Sequence, residues 1–338
     1  MRAKVTSFDI AEKAGVSQST VSRALSDSPL VSLETKARVH AAAKELNYKV
    51  DKNASNLRRQ SSNTIALLLF EESSSGTDSI NPFYLSMLGA ITRACSNQGY
   101  DLLVSFQELG TDWFSEYEDA HKADGLILLG YGGYLDYQQK LVELENQGTH
   151  FVRWGDTSTT APGITIGCDN FEGGRQISEH LLERGRKQIA FIGDISDDSP
   201  ELKQRYLGYQ KTLNDNGLHC AQSLQFNAEV TEHSGYLATK KLIASGQSFD
   251  AVFAACDYIA LGAMRALQES GYTIPTDVSV AGFDDVAIAK HSRPALTTAI
   301  QDPNEAGKRM VKTLLKLIRN EPCQSHTLET RLAIRGSC

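Results

Sequence analysis

The sequence predicts an α/β protein in two parts: a three-helix N-terminal head, then a larger body of parallel sheets covered by helices. Three observations carry this expectation. From Thr64 onward, apolar runs alternate with amphipathic stretches, the pattern of strands buried on both faces between crossover helices. Residues 6–47 lack such runs and show three short helical periods instead. Charge divides near the same place: residues 1–60 carry a net +5 and the remainder a net −12, within an overall −7. A basic head on an acidic body suits a nucleic-acid contact at one end, although on charge alone a solvated basic surface fits as well.

Composition narrows the class. The 338 residues are 41% hydrophobic and 22% charged, enough for two or three domains with real cores and unlike a disordered or fibrous chain. No eighteen apolar residues run together, and the first nine residues are too polar for a signal peptide. No membrane association is expected, and the cytoplasm is the expected compartment. Six scattered cysteines form no Cys-x-x-Cys pair, which argues for reduced, packed thiols rather than a zinc site or a disulfide framework.

In the head, Thr6 and Asp9 make a capping-box start to a first helix whose Ile10, Ala11 and Ala14 form an apolar stripe ended by Gly15. Ser17 can cap a second helix over 18–26, with Val21, Ala24 and Leu25 inward. A loop with Pro29 follows. Ser32 opens a third helix, carrying Val39, Ala42, Ala43 and Leu46, that closes at Asn47. A helix, a tight turn and a second short helix form a helix-turn-helix, whose second helix lies in the DNA major groove with its N-terminal side chains on base edges. Here those are Gln18, Ser19, Ser22 and Arg23, all hydrogen-bonding types; Gln pairs with adenine and Arg with guanine. Any small bundle has a polar face, so the spacing favours DNA only together with the basic charge.

The run Val5-Thr6-Ser7-Phe8-Asp9-Ile10-Ala11-Glu12-Lys13-Ala14-Gly15-Val16-Ser17, then Ser19-Thr20-Val21-Ser22-Arg23-Ala24-Leu25, closely resembles the headpiece of the lactose/galactose-repressor family. Val31-Ser32 and Glu45-Leu46-Asn47-Tyr48 extend the likeness. The resemblance implies a headpiece over 1–49 and a hinge over 50–61 that becomes a helix on operator DNA. Its segment here is Asn53-Ala54-Ser55-Asn56-Leu57-Arg58-Arg59. A helix this short is marginal in water. Leu57 would wedge into the minor groove, with Arg58 and Arg59 near phosphate. By composition alone a plain basic linker is the better account of this stretch. The DNA-contact candidates are thus Thr6, Ser17, Gln18, Ser19, Ser22 and Arg23 in the head, and Asn53, Ala54, Leu57 and Arg58 in the hinge.

In the body, strands are expected at 65–70, 102–106, 125–129, 151–154, 164–166, 189–192, 251–255 and 278–282. Helices are expected at 83–97, 136–147, 171–184, 205–216, 234–245, 258–270 and 304–319. Two such α/β units in tandem leave a cleft at the carboxyl ends of their strands, the natural ligand site. The body, too, resembles the family, through Asp169-Asn170-Phe171-Glu172-Gly173-Gly174, Arg205-Tyr206-Leu207-Gly208-Tyr209, Asp257-Tyr258-Ile259-Ala260-Leu261-Gly262, Val280-Ala281-Gly282-Phe283-Asp284-Asp285 and Arg293-Pro294-Ala295-Leu296-Thr297-Thr298. That likeness implies a two-lobed core, similar to periplasmic sugar-binding proteins, over 62–338. Lobe one would hold about 62–166 and 303–321, lobe two about 167–300 and 325–338, with three crossovers between them.

Effector candidates sit where strands end. Asp284 directly follows a strand and can accept from two neighbouring hydroxyls; Arg205, read as opening a helix, can fork onto ring oxygens or a carboxylate. The family places effector contacts at both positions. Asp257 starts a helix, where N-capping competes with ligand contact. Its neighbour Cys256 stands where a family member carries a ligand-contacting asparagine, so the effector itself stays open. Trp154 could stack on a sugar ring or simply pack in the core. Asn81, Phe83 and Tyr84 open the first helix of lobe one, facing the same cleft.

Enzyme signatures are weak. Gly130-Tyr131-Gly132-Gly133 lacks the third glycine of a dinucleotide loop, there is no Gly-x-Ser-x-Gly elbow or Walker lysine motif, and the eight histidines lack metal-ligand spacing. No cofactor or metal is expected. The resemblance implies a transcription regulator, most often a repressor of carbohydrate-utilisation genes, binding a near-palindromic operator as a homodimer under control of a sugar held between the lobes. Only three residues follow the strand ending near Arg335, so a tetramerising heptad tail is not expected. Alternatives are a regulator controlled by a purine or nucleoside corepressor and a cleft enzyme fused to a DNA-binding head.

Overall fold

The computed structural model describes residues 5–48, 61–70, 80–107, 117–118, 120–130 and 134–338. The hinge candidates Asn53, Ala54, Leu57 and Arg58 lie outside the described residues. The chain divides between Ser62 and Asn63 into two units, taken here in turn.

The first unit holds α1 (Ser7–Ala14), α2 (Gln18–Leu25) and α3 (Leu33–Glu45). A short polar side chain sets each start. Asp9 accepts from the N–H and the hydroxyl of Thr6, both at 2.7 Å. Ser17 Oγ accepts from the Thr20 N–H at 3.2 Å, and Ser32 Oγ from the Thr35 N–H at 3.3 Å. Gly15 ends α1 in the left-handed region, φ +63°, where a side chain would be strained, and this lets α2 begin three residues later. Ile10, Val21 and Val39, all fully buried, share one small core with Ala14, Ala24 and Ala42, whose short side chains let the helices come close.

The second unit begins with β1 (Thr64–Phe70), α4 (Pro82–Asn97), β2 (Asp101–Gln107), β3 (Leu126–Leu129), α5 (Tyr134–Asn146), β4 (Phe151–Trp154) and β5 (Ile164–Cys168). It continues through α6 (Asn170–Glu183), β6 (Ile189–Ile192), α7 (Pro200–Asp215), β7 (Gln225–Phe226), α8 (Glu232–Ala244), β8 (Ala251–Ala254), α9 (Asp257–Glu269), β9 (Ser279–Asp284) and β10 (Thr297–Ile300). It closes with α10 (Pro303–Ile318), β11 (His326–Leu328) and β12 (Arg331–Ala333).

Among the described residues these strands form two six-stranded sheets. The first has the order β11-β5-β4-β3-β1-β2 and the second β12-β10-β9-β8-β6-β7. Every pairing is parallel except that of β12 with β10. β3, β4, β6 and β8 are buried along their whole length, as strands covered on both faces must be. At the outer edge, by contrast, β2 leaves Leu103, Val104 and Phe106 exposed. No described helix is long and apolar enough to cross a membrane.

Several boundaries differ from expectation: β9 runs on to include Asp284 rather than ending before it, and two other differences bear on the site. Residues 325–338 do not all belong to lobe two: His326 pairs with Ile166 and Leu328 with Cys168, so β11 completes the first sheet and only β12 joins the second. β5 would otherwise be left as an open edge, and three residues of chain cover it. The chain thus crosses between the sheets after Cys168, after Ile300 and after Leu328. The helix expected from Arg205 begins at Pro200, whose fixed φ suits the first helical position. Arg205 therefore lies in its second turn.

Candidate functional site

Two places bear on function, one in each unit. In the first, the start of α2 presents Ser19, Ser22 and Arg23 to solvent. Gln18 is half-buried, its Nε2 donating to Ser7 Oγ at 2.8 Å, so its amide is held in place rather than free to swing. Two other candidates are occupied by local structure. Ser17 caps α2 and lies 2.9 Å from Ser19 Oγ and 2.8 Å from Thr20 Oγ1; Thr6 is tied to Asp9, whose carboxyl its N–H and hydroxyl hold below the usual range.

In the second unit a cavity of about 400 Å³ opens at the carboxyl ends of the strands, between the two sheets. The first sheet's side supplies Phe70, Gly130 and Trp154 from strand ends, and Asn81, Phe83 and Tyr84 from the start of α4. Asn81 caps that helix, accepting from the Phe83 N–H at 2.9 Å. Gly130 has φ +77°, and a Cβ there would meet the Phe70 carbonyl oxygen at 2.6 Å, so no larger residue fits the turn. Trp154 lines the cavity yet is 6% exposed, its ring centroid 5.6 Å from that of Phe83. The residue is packed in the core and also lines the cavity.

The second sheet's side is polar. Arg205 and Asp284 are both buried, with Nη1 and Oδ1 3.4 Å apart. Arg205 donates from Nε to Asn170 Oδ1 at 2.9 Å and from Nη1 to the Ala255 carbonyl at 2.6 Å, and its guanidinium stacks 3.7 Å above the Phe283 ring. Asp284 Oδ1 accepts from Gln301 Nε2 at 2.5 Å, while Gln301 Oε1 takes the Cys168 thiol at 3.0 Å. Burial raises the Asp284 carboxyl above its ordinary range, against the opposing pull of Arg205 and Gln301. These bonds leave Asp284 Oδ2 as an acceptor and Arg205 Nη2 as a donor, the complement of adjacent hydroxyl groups.

Glycines make this meeting possible. A Cβ on Gly174 would lie 2.2 Å from the Arg205 carbonyl oxygen, and one on Gly208 2.1 Å from that of Phe171. Only without those side chains can α6 and α7 pack closely enough for Asn170 to reach Arg205.

Asp257 does not belong to the cavity, contrary to expectation, nor does it cap α9. The cap is Cys256, in extended backbone, and Cys256 lines the cavity. Asp257 turns inward, accepting from the Val286 N–H at 2.8 Å and the Thr298 hydroxyl at 2.5 Å, and so ties α9 to β10 and to the chain following β9. Burial and then the Asp284 charge push its carboxyl well above the usual range.

Sequence reasoning passed over Glu201, Glu232, Tyr258 and Gln301, all of which line the cavity. A signal existed for three of them. Glu201, Glu232 and Tyr258 sit in first helical turns that follow strands, the turns a doubly wound sheet brings to its cleft. Among the described residues no group of three or more potential metal ligands is gathered.

Comparison with known proteins agrees with this division. A family model described as bacterial regulatory proteins, lacI family, matches residues 8–51, and one for a periplasmic binding protein-like domain matches residues 178–338. The transcriptional regulator RegA of Clostridium saccharobutylicum is 31% identical over 337 residues, covering 97% of this chain and 98% of the relative. A solved lac repressor dimer, bound to operator and the anti-inducer ONPF, is similar with a TM-score of 0.84 and 28% identity, covering 99% of both chains. A complex of the regulator CelR with cellobiose has a TM-score of 0.72 and 28% identity over 99% of this chain and 100% of that one.

Proposed function

Because the chain belongs to the lacI family of bacterial regulatory proteins, a family of transcription regulators rather than enzymes, we propose that it represses its target genes by gripping a near-palindromic operator as a homodimer, and that a sugar bound between the lobes controls the grip. The observation that carries the effector half is the buried Arg205–Asp284 pair, which turns one donor and one acceptor towards a cavity whose opposite side is aromatic. Directional bonds on one side and ring-stacking area on the other suit a sugar, whose ring has hydroxyl edges and apolar faces.

Ser19, Ser22 and Arg23 read base edges, Gln18 is positioned by Ser7, and Thr6 and Ser17 hold the two helix starts near the backbone. Asn53 and Ala54 lie along the minor groove, Leu57 wedges into it, and Arg58 approaches phosphate. Half-sites about one helical turn apart require two-fold symmetry. The exposed apolar edge at Leu103, Val104 and Phe106 supports a second copy covering it. Asp284, Arg205, Trp154, Asn81, Phe83 and Tyr84 hold the effector. The effector acts by binding two lobe arrangements with different affinity, which alters the hinge and so the operator contact.

Selection of bound duplexes from a random pool by the full-length protein tests the DNA half. We expect a near-palindrome to be enriched, and Leu57→Ala to weaken that site more than random duplex. No enriched sequence at moderate salt, with or without sugars, would overturn the reading.

A further inference from the structure

Resting on the sugar-effector reading, we propose that the effector is uncharged, a neutral glycoside of one or two rings, and that the cavity rejects its phosphate ester. Four helix starts border the cavity: α4 at Asn81, α7 at Ser199, α8 at Thr231 and α9 at Cys256. Bare helix starts carry partial positive charge and unused N–H donors, so four of them would make an anion site. Three of them are compensated from within the chain, while the start of α9 at Cys256 has no side-chain cap bond. The Asn81 side chain takes the Phe83 N–H at 2.9 Å, and the Thr231 hydroxyl takes the Ser234 N–H at 3.1 Å. Glu201 stands in the first turn of α7 and Glu232 in the first turn of α8, and both line the cavity.

Among the described lining residues the basic side chains, Arg205 and His233, are fewer than the acidic ones, Glu201, Glu229, Glu232 and Asp284. Arg205 is offset by Asp284. Arg265 lies 3.0 Å from Glu232 but is not part of the lining. A phosphate entering this space would meet carboxylates where a phosphate site offers donors, and in a cleft that excludes much of the screening water. Sugar hydroxyls meet the same oxygens as donors and are welcomed by them. The volume, about 400 Å³, is at the small end of ligand sites and matches one or two rings.

The test is a thermal-shift and calorimetric comparison on the full-length protein. The probes are glucose, ribose, cellobiose and lactose, each beside its ester on the terminal hydroxymethyl group, such as glucose 6-phosphate and ribose 5-phosphate. We expect at least one neutral sugar to raise Tm and its ester to bind about ten-fold more weakly or worse. In the double variant Glu201→Gln/Glu232→Gln the two forms should move towards parity. An ester that binds as tightly as its parent sugar overturns this inference while leaving the sugar reading intact. A gap that persists in the double variant overturns it as well. Silence from both forms of every sugar overturns the sugar reading and this inference together. Should the double variant fail to fold, the comparison on the unaltered protein decides.

Discussion

Residues proposed to read DNA and residues proposed to read a metabolite are built in opposite ways. Ser19, Ser22 and Arg23 are exposed on a short helix, and Arg23 enters no ion pair among the described residues. Arg205 and Asp284 are 4% and 7% exposed and are joined to each other and to Asn170, Ala255 and Gln301. A groove-reading side chain has to stay at the surface, where it can turn to the DNA when the duplex arrives. A cavity-reading side chain has to be buried beforehand and pays for that burial with fixed partners. Substitution should therefore cost the head binding alone and the cavity both binding and stability.

The largest test of that contrast is Asp284→Ala. It strands a buried guanidinium, so denaturant unfolding of the second unit should show a loss of about 3–5 kcal/mol, together with loss of any sugar-induced Tm rise. An unchanged midpoint would break the comparison on the cavity side. Arg23→Ala should cost roughly 1–3 kcal/mol of operator binding and relax preference at one base pair, with Tm unmoved. Titration of single-base operator variants reads the first effect and thermal unfolding the second. Ser17→Ala sharpens the contrast within the head, since Ser17 is a cap. It should lower head stability by about 1 kcal/mol, and it should weaken operator binding only as far as α2 frays.

The smallest effect expected is a pH dependence. Asp257 has a folded pKa well above its unfolded value, so the folded state holds a proton that the unfolded state has released. Its contribution is therefore favourable at acid pH and is lost as pH rises from about 4 through the folded pKa. Asp284 acts in the same direction, more weakly. Melting temperatures across that range should fall with rising pH, less steeply in Asp257→Asn; identical slopes would remove Asp257 as a source.

The contrast between the regions also explains what was legible beforehand. Helix starts are local events: Ser17, Ser32 and Asn81 were readable because a short polar side chain accepts from an N–H two or three residues on, and Thr6 because Asp9, three residues on, accepts from its N–H. The strand β6 fell at its expected residues because a doubly covered strand reads as a continuous apolar run, and β4 did so although it carries the buried Arg153. β11 was not readable: His326-Thr327-Leu328 has no pattern, and its sheet is decided by the distant edge of β5. Asp257 was misread by one position, because whether an acid caps a helix or begins it depends on the extended backbone at Cys256. Glu201 and Glu232 carried only the weak signal of standing in first helical turns after strands. They become cavity residues only once both sheets are set against each other.

The central claim is that occupancy of the buried cavity changes the grip of the exposed helix. Its most direct test is an operator titration of the full-length protein with and without saturating amounts of a sugar that raises its Tm, run beside Asp284→Asn. The account predicts a change in operator Kd of about five-fold or more in the parent and none in the variant. A sugar that binds the parent tightly yet leaves its operator Kd unchanged would contradict it.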